Sequence, residues 1–140
     1  MSEESTTPDL VERVRLFNDA VTRRDFDAAM SFWGSDPVWD TSPVGLGLYE
    51  GPAAIRGFIE DWIADYQEWV IEEEELLDLG NGVSFAVYVQ RGRPAGSSGE
   101  VRARYAAVGV WVAGLLVRTT NYADIDEARA AAERLVEERR

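Results

Sequence analysis

From Trp69 to Tyr122 the chain reads as consecutive strands separated by short turns, and this block sets the fold class. Val83 to Arg93 carries the clearest period of two. Val83, Phe85, Val87 and Val89 fall on one face, and Ser84, Ala86, Tyr88 and Gln90 on the other. Trp69 to Leu79 precedes it across a Gly80-Asn81-Gly82 turn, a hairpin signal. After the flexible connection Pro94 to Gly99, Glu100 to Val112 is the next strand, and Ala113-Gly114 turns it into Leu115 to Tyr122.

Upstream the period changes to that of helices. Leu10, Val11, Val14, Phe17 and Val21 mark a helix from Pro8 to about Arg24, with Pro8 in its first turn and Thr7 as cap. Asp25 caps a shorter helix, Phe26 to about Trp33, which Gly34 ends. A short strand at Val38 to Asp40 follows, and Pro52 opens a third helix running to about Gln67. Asp124 or Asp126 caps a last, Ala-rich helix. Helices first and a strand meander afterwards predict an α+β fold, with N-terminal helices packed on a curved antiparallel sheet. One domain over residues 8–140 is expected, preceded by a polar, disordered tail over residues 1–7.

Composition narrows the chemistry. Without cysteine or histidine there is no thiol nucleophile, no imidazole base and no usual zinc site. Acid–base work falls to Asp, Glu, Tyr or Arg, and no cofactor is expected. A net charge of −12 argues against nucleic acid as a partner. No apolar run is long enough to cross a bilayer, and the N-terminus MSEESTTPD has no targeting character, so a cytoplasmic location is expected.

The stretch Pro37 to Phe58 is the best candidate site. Asp40 is its first carboxylate, set beside Trp39 and followed by Tyr49 and Phe58, where desolvation could raise its pKa and fit it for proton transfer. The competing reading is a capped turn, with the carboxylate bonding amides of Thr41-Ser42.

The order of elements resembles the NTF2-like superfamily, and within it the SnoaL-like and ketosteroid-isomerase-like branch. Trp39-Asp40 after the second helix and YEGPAAIRGFIEDW opening the third carry the likeness, which covers roughly Leu10 to Ala132. It implies an NTF2-like (cystatin-like) conical barrel with an apolar cavity open at one end, and a homodimer formed through the sheet. Ketosteroid isomerases follow their catalytic aspartate with Pro-Val-Gly and then Gly-x-Ala-Ala-Ile-Arg. Here Asp40 precedes Thr-Ser, Pro43-Val44-Gly45 and Gly51-Pro-Ala-Ala-Ile-Arg56, so the resemblance implies a proton-shuttling role for Asp40. The family's oxyanion donors are replaced, with Phe17 at the tyrosine position and Ala107 near the aspartate position, which argues against steroid isomerisation.

Asn121-Tyr122-Ala-Asp124 resembles the end of SnoaL-like polyketide cyclases and makes Asp124 a second acid–base candidate, against the reading of Asp124 as a helix cap. Limonene-epoxide-hydrolase-like relatives use an arginine between two aspartates. Alternation here turns Tyr105, Ala107, Gly109 and Trp111 inward, leaving Arg102 and Arg104 outside to meet Glu72 to Glu75. Alternate members of that glutamate run are expected on opposite faces, with a divalent metal as a minor possibility.

The resulting expectation is a small, mainly apolar molecule bound in the cone, with isomerase-, cyclase- or hydrolase-type chemistry at Asp40. Phe17, Trp39, Tyr49, Phe58, Trp62, Tyr105, Ala107, Trp111 and Tyr122 form the binding set, with Tyr49 and Tyr105 as donors. The alternatives are a non-catalytic binding module with the same cavity, and a structural dimer whose aromatic side chains fill the cone.

Overall fold

The computed structural model describes residues 9–140; the tail expected over residues 1–7 lies outside the described residues. Helix α1 spans Leu10–Thr22 and buries Leu10, Val14, Phe17, Ala20 and Val21 along one stripe. Its cap is Asp9 rather than Thr7, with the carboxylate accepting from the Glu12 amide at 3.2 Å. Asp25 caps α2, Phe26–Met30, as expected. That helix ends earlier than its apolar spacing suggests. The Leu116 amide donates to the Phe32 carbonyl at 2.8 Å, so pairing with a distant strand takes Trp33 out of the helix and makes it the first residue of β1, Trp33–Asp40.

A 3₁₀ turn at Ser42–Val44 leads to the three-residue strand β2, Leu48–Glu50, which the sequence pattern did not reveal because it is short and mostly exposed. Helix α3, Pro52–Ala64, buries Ile55, Ile59 and Ile63 and stops before Tyr66, which pairs in the sheet with Pro94. Strands β3, Tyr66–Gly80, β4, Val83–Pro94, β5, Val101–Val112, and β6, Leu115–Tyr122, make the meander, and α4, Ile125–Glu138, closes the chain. The order across the sheet is β2-β1-β6-β5-β4-β3. All neighbours are antiparallel except β1 and β6, which run parallel, so the wholly antiparallel expectation is corrected there. The sheet is curved but not closed, an open cone rather than a complete barrel.

Both faces of this sheet are covered. Helices α1 and α3 pack on the inner face, against Trp69, Ala86, Tyr88 and Trp111. Helix α4 packs on the outer face, where Ala128 and Ala132 lie against Val83, Phe85, Val87, Ala106 and Val108. Its small residues let the helix approach the strands closely. Consequently β4 is buried on both faces from Val83 to Gln90, although its sequence alternates. Among the described residues no helix is long and apolar enough to cross a membrane.

The glutamate run of β3 is paired residue by residue. Glu72 meets Arg91 of β4, Glu73 meets Arg15 of α1 at 2.9 Å, Glu74 meets Arg104 of β5 at 2.7 Å, and Glu75 meets Arg129 of α4 at 2.9 Å. A bulge between Glu73 and Glu75 breaks the alternation expected for the run, so only Glu73 pairs with an inner-face helix. These pairs are partly exposed and each contributes about 0–1 kcal/mol. Among the described residues no Asp/Glu cluster could hold a metal ion.

Two tight hairpins set the meander's register. Asn81 (φ 57°) and Gly82 (φ 79°) turn β3 into β4, and Ala113 (φ 54°) and Gly114 (φ 82°) turn β5 into β6. A Cβ on Gly82 would lie 2.4 Å from the Trp111 carbonyl oxygen, so both conformation and space require glycine. Ala113 holds the same left-handed conformation with a side chain that disfavours it. Ala113→Asn is therefore expected to stabilise the fold by about 0.5–1 kcal/mol, and Gly82→Ala to destabilise it by about 2 kcal/mol or more. Urea unfolding midpoints of the two variants check both signs.

Candidate functional site

The inner-face residues enclose a cavity between the sheet, α1 and α3. Its walls come from Val14, Phe17, Asn18 and Val21 of α1, Ile59 and Trp62 of α3, and the inward phase of β1 and β3 to β6. About 60 Å³ is open to the centre of a water-sized sphere, room for a few waters or a compact organic molecule. Aromatic rings take most of the remaining space. Phe58 stacks on Tyr49 (centroids 4.3 Å) and meets Trp39 and Trp62, Trp62 meets Trp69, and Trp39 continues through Trp33 to Phe17. Such edge and tilted contacts contribute about 0.5–1.5 kcal/mol each beyond the area they bury.

Polar groups on this wall are few and mostly engaged with each other. The Trp39 indole N–H donates to Asn121 Oδ1 at 3.3 Å, and the Trp111 indole N–H donates to Ser84 Oγ at 3.0 Å. Asn18 Nδ2 donates to Tyr88 Oη at 2.8 Å. Burial pushes the Tyr88 phenol up to about 12, against the opposing pull of the Asn18 bond. Burial also raises Tyr105, whose ring lies 5.7 Å from that of Tyr88. Both phenols are therefore neutral donors at ordinary pH. The wall contains no Asp, Glu or Arg.

Of the expected binding set, Phe17, Trp39, Trp62, Tyr105, Ala107 and Trp111 line the cavity. Tyr49 and Phe58 stand behind the wall, and the Tyr49 hydroxyl donates to the Leu46 carbonyl at 2.8 Å instead of facing a ligand. Asn18, Trp69, Ser84, Thr119 and Asn121 belong to the wall as well and were missed. Ser84 and Asn121 were findable from strand phase, since each occupies the inward position of its strand. Asn18 was not, because its neighbours on α1 do not mark the polar edge of the helix.

Asp40 is not on the cavity. Trp39 sits across from Thr119 and points inward, so the pleat sends Asp40, across from Thr120, to the outer face. There it borders a cleft beneath α4 together with Pro43, Arg118, Tyr122, Arg134 and Glu138, with about 290 Å³ open to water-sized spheres. Partial burial pushes its carboxyl up, but the Ser42 hydroxyl and amide, at 2.6 and 3.0 Å, and the Arg118 guanidinium, at 3.1 Å, outweigh this and hold its pKa below the ordinary value. Of the two readings of Asp40, this geometry is that of the capped turn. Tyr122 borders the same outer cleft, with its phenol raised chiefly by burial. Asp124 is the exposed N-cap of α4, accepting from the Glu127 amide at 3.1 Å.

Because the folded-state pKa of Asp40 is depressed, its contribution is present above the unfolded value near ~3.9 and fades as pH falls through the folded value. Asp40→Asn is expected to cost about 1 kcal/mol at neutral pH. The difference from the parent should shrink below about pH 4. Denaturant titrations of both proteins across that range check it, and a pH-independent difference would contradict the ionic account.

The comparisons place this geometry among known proteins. The family model for the SnoaL-like domain matches residues 14–119. A protein with a ketosteroid isomerase-like fold from Catenulispora acidiphila, in complex with trimethylamine, superposes with a TM-score of 0.71 at 15% identity, over 87% of this chain and 92% of that one. TerC co-crystallised with polyporic acid gives 0.70 at 16% identity, over 91% and 97%. An LEH-like epoxide hydrolase of M. tuberculosis gives 0.68 at 15% identity, over 89% of each chain. No curated protein matches. At these identities the structures share the fold alone, but the family match spans most of the chain and coincides with the cavity-bearing elements: this chain belongs to the SnoaL-like family.

Proposed function

We propose that this protein binds a compact, mainly apolar molecule in the inner cavity, held by aromatic walls and oriented by neutral tyrosine hydroxyls. The observation that carries the reading is the composition of the wall: aromatic and aliphatic side chains, no charged group, and two phenols whose protons stay on. Trimethylamine in the Catenulispora relative supports a ligand of modest size, as does the narrow open volume here.

Acid–base chemistry of isomerase, cyclase or hydrolase type at Asp40 is disfavoured in this geometry. A group that acts on a cavity ligand must come within hydrogen-bond reach of it, and Asp40 opens onto the opposite face of the sheet. The tyrosines are poor bases for the same reason that they are good donors. The reading is therefore a binding module. The homodimer implied by the family likeness would have to use the part of the outer face that α4 leaves free, where Arg91, Arg93 and Arg104 pair with Glu72, Glu68 and Glu74.

Methylenecyclopentane, a compact hydrocarbon, tests the site. Its binding is expected to shift the indole N–H resonances of Trp39, Trp62 and Trp111 saturably in NMR spectra. Ala107→Leu, which fills the cavity, should weaken that binding about tenfold or more. Asp40→Asn should leave it unchanged. Loss in Asp40→Asn with retention in Ala107→Leu would move the site to the outer cleft.

A further inference from the structure

We propose that the outer cleft beneath α4 is a second binding site, one that takes a small carboxylate with a short apolar body between Arg118 and Arg134. It lies across the sheet from the inner cavity and does not depend on what binds there.

A helix facing a sheet ordinarily buries apolar side chains between the two. Over β4 and β5 helix α4 does so, through Ala128 and Ala132. Toward β6 it turns a different stripe to the strands. Ala131, Arg134, Leu135 and Glu138 follow the i, i+3, i+4, i+7 spacing of one helix face, and all four border the cleft. Opposite them stand Arg118, Thr120 and Tyr122, the outward phase of β6, which alternates with the inward Thr119 and Asn121. Two partly polar surfaces therefore meet where a packed apolar seam is the rule.

They do not close on each other. The space between them is about 290 Å³, against about 60 Å³ in the inner cavity. Ala131 is the helix residue nearest the sheet on this stripe, and its single methyl leaves the hollow unfilled. The floor is apolar: Val108 and Val110 of β5 are buried and lie directly across from Thr120 and Arg118, and Leu135 borders them from the helix. A short hydrocarbon chain or a ring is matched to that floor, and the charged groups stand at its rim.

The rim has donors to spare. A guanidinium carries five N–H groups, and Arg118 gives one, to Asp40 Oδ2 at 3.1 Å. Asp40 is held in turn by the Ser42 hydroxyl and amide, so it anchors Arg118 in place. Arg134 makes no ion pair among the described residues, even with Glu138 one turn along the same face. Burial raises the Tyr122 phenol, with help from Glu127 and Asp40, while Arg134 and Arg118 pull it back. That hydroxyl therefore keeps its proton and lies within the field of both guanidinium groups. A carboxylate matches planar guanidinium forks in shape as well as charge. Arg118 and Arg134 also balance Asp40 and Glu138 here, so an anion meets no local excess of negative charge in a chain of net charge −12. Glu138 is the one rim carboxylate without a partner, and it opposes an anion.

Benzoate tests the site, with neutral benzamide as its isostere, each titrated into the full-length protein and followed by NMR. Benzoate is expected to shift the backbone amide signals of Thr120, Tyr122, Arg134 and Leu135 saturably, while the indole N–H signals of Trp62 and Trp111 stay in place. Benzamide should bind about tenfold more weakly. Arg134→Gln, on the exposed side of the cleft, should lower the affinity for benzoate about fivefold. Glu138→Gln should raise it about twofold. Ala107→Leu, which fills the inner cavity, should leave it unchanged. Equal binding of the two probes, benzoate affinity unaltered in Arg134→Gln, or no gain in Glu138→Gln overturns the carboxylate site. Benzoate that moves the indoles in place of the cleft amides does the same, by seating the anion in the inner cavity. Absence of any shift overturns the cleft site alone, because binding in the inner cavity is judged by methylenecyclopentane.

Discussion

Successive residues of a strand must leave the sheet on opposite sides, and in this molecule both sides are covered. That constraint decides nearly everything about the site. It puts Tyr88 and Ala86 in the cavity wall and Phe85 and Val87 under α4, although the four are consecutive. It also separates Trp39 from Asp40 by the full thickness of the sheet. A register slip of one residue would exchange the two compartments, turning Asp40 into the cavity and Trp39 under α4. The pairing of β1 with β6 on one side and β2 on the other sets its register, as the hairpins at Asn81-Gly82 and Ala113-Gly114 set that of the meander.

The cavity owes its size to the aromatic lattice that runs from Tyr49 through Phe58 and Trp62 to Trp69, with Trp39 linking it to Phe17. Large flat side chains meeting edge to face leave narrow gaps rather than one wide hollow. The cone is neither empty nor fully filled, which sets it between the two outcomes that the sequence left open.

Much of the fold was legible because its periodicities are strong. The α1 stripe, the α3 stripe, the alternation of β4 and the hairpin glycines all appear in the structure as read. Boundaries failed where a distant partner overrode local spacing: Trp33 left its helix because Leu116 claims the backbone beside it, and Tyr66 left α3 for a pairing with Pro94. The parallel contact of β1 with β6 is invisible locally, since parallel neighbours need not be consecutive. The site was half legible. Inward aromatic positions of β5 were assigned by alternation, whereas Asp40 was left open between a pocket and a capped turn because a three-residue strand fragment does not disclose which of its faces is which. The wall's polar members, Asn18 and Asn121, become meaningful only once their partners Tyr88 and Trp39 are in place.

That parallel pair also governs the order in which the molecule can assemble. The indole of Trp39 is fixed by an acceptor 82 positions further along the chain, and until β6 exists β1 has only the three-residue β2 beside it. During synthesis the helices and the β3–β4 hairpin can form early from local contacts, but the cavity cannot close before the C-terminal strand emerges. Until then Trp33 and Trp39 have no sheet to cover them. The cavity is thus the last part of the fold to be completed, and the part most exposed to aggregation if synthesis stalls short of Tyr122.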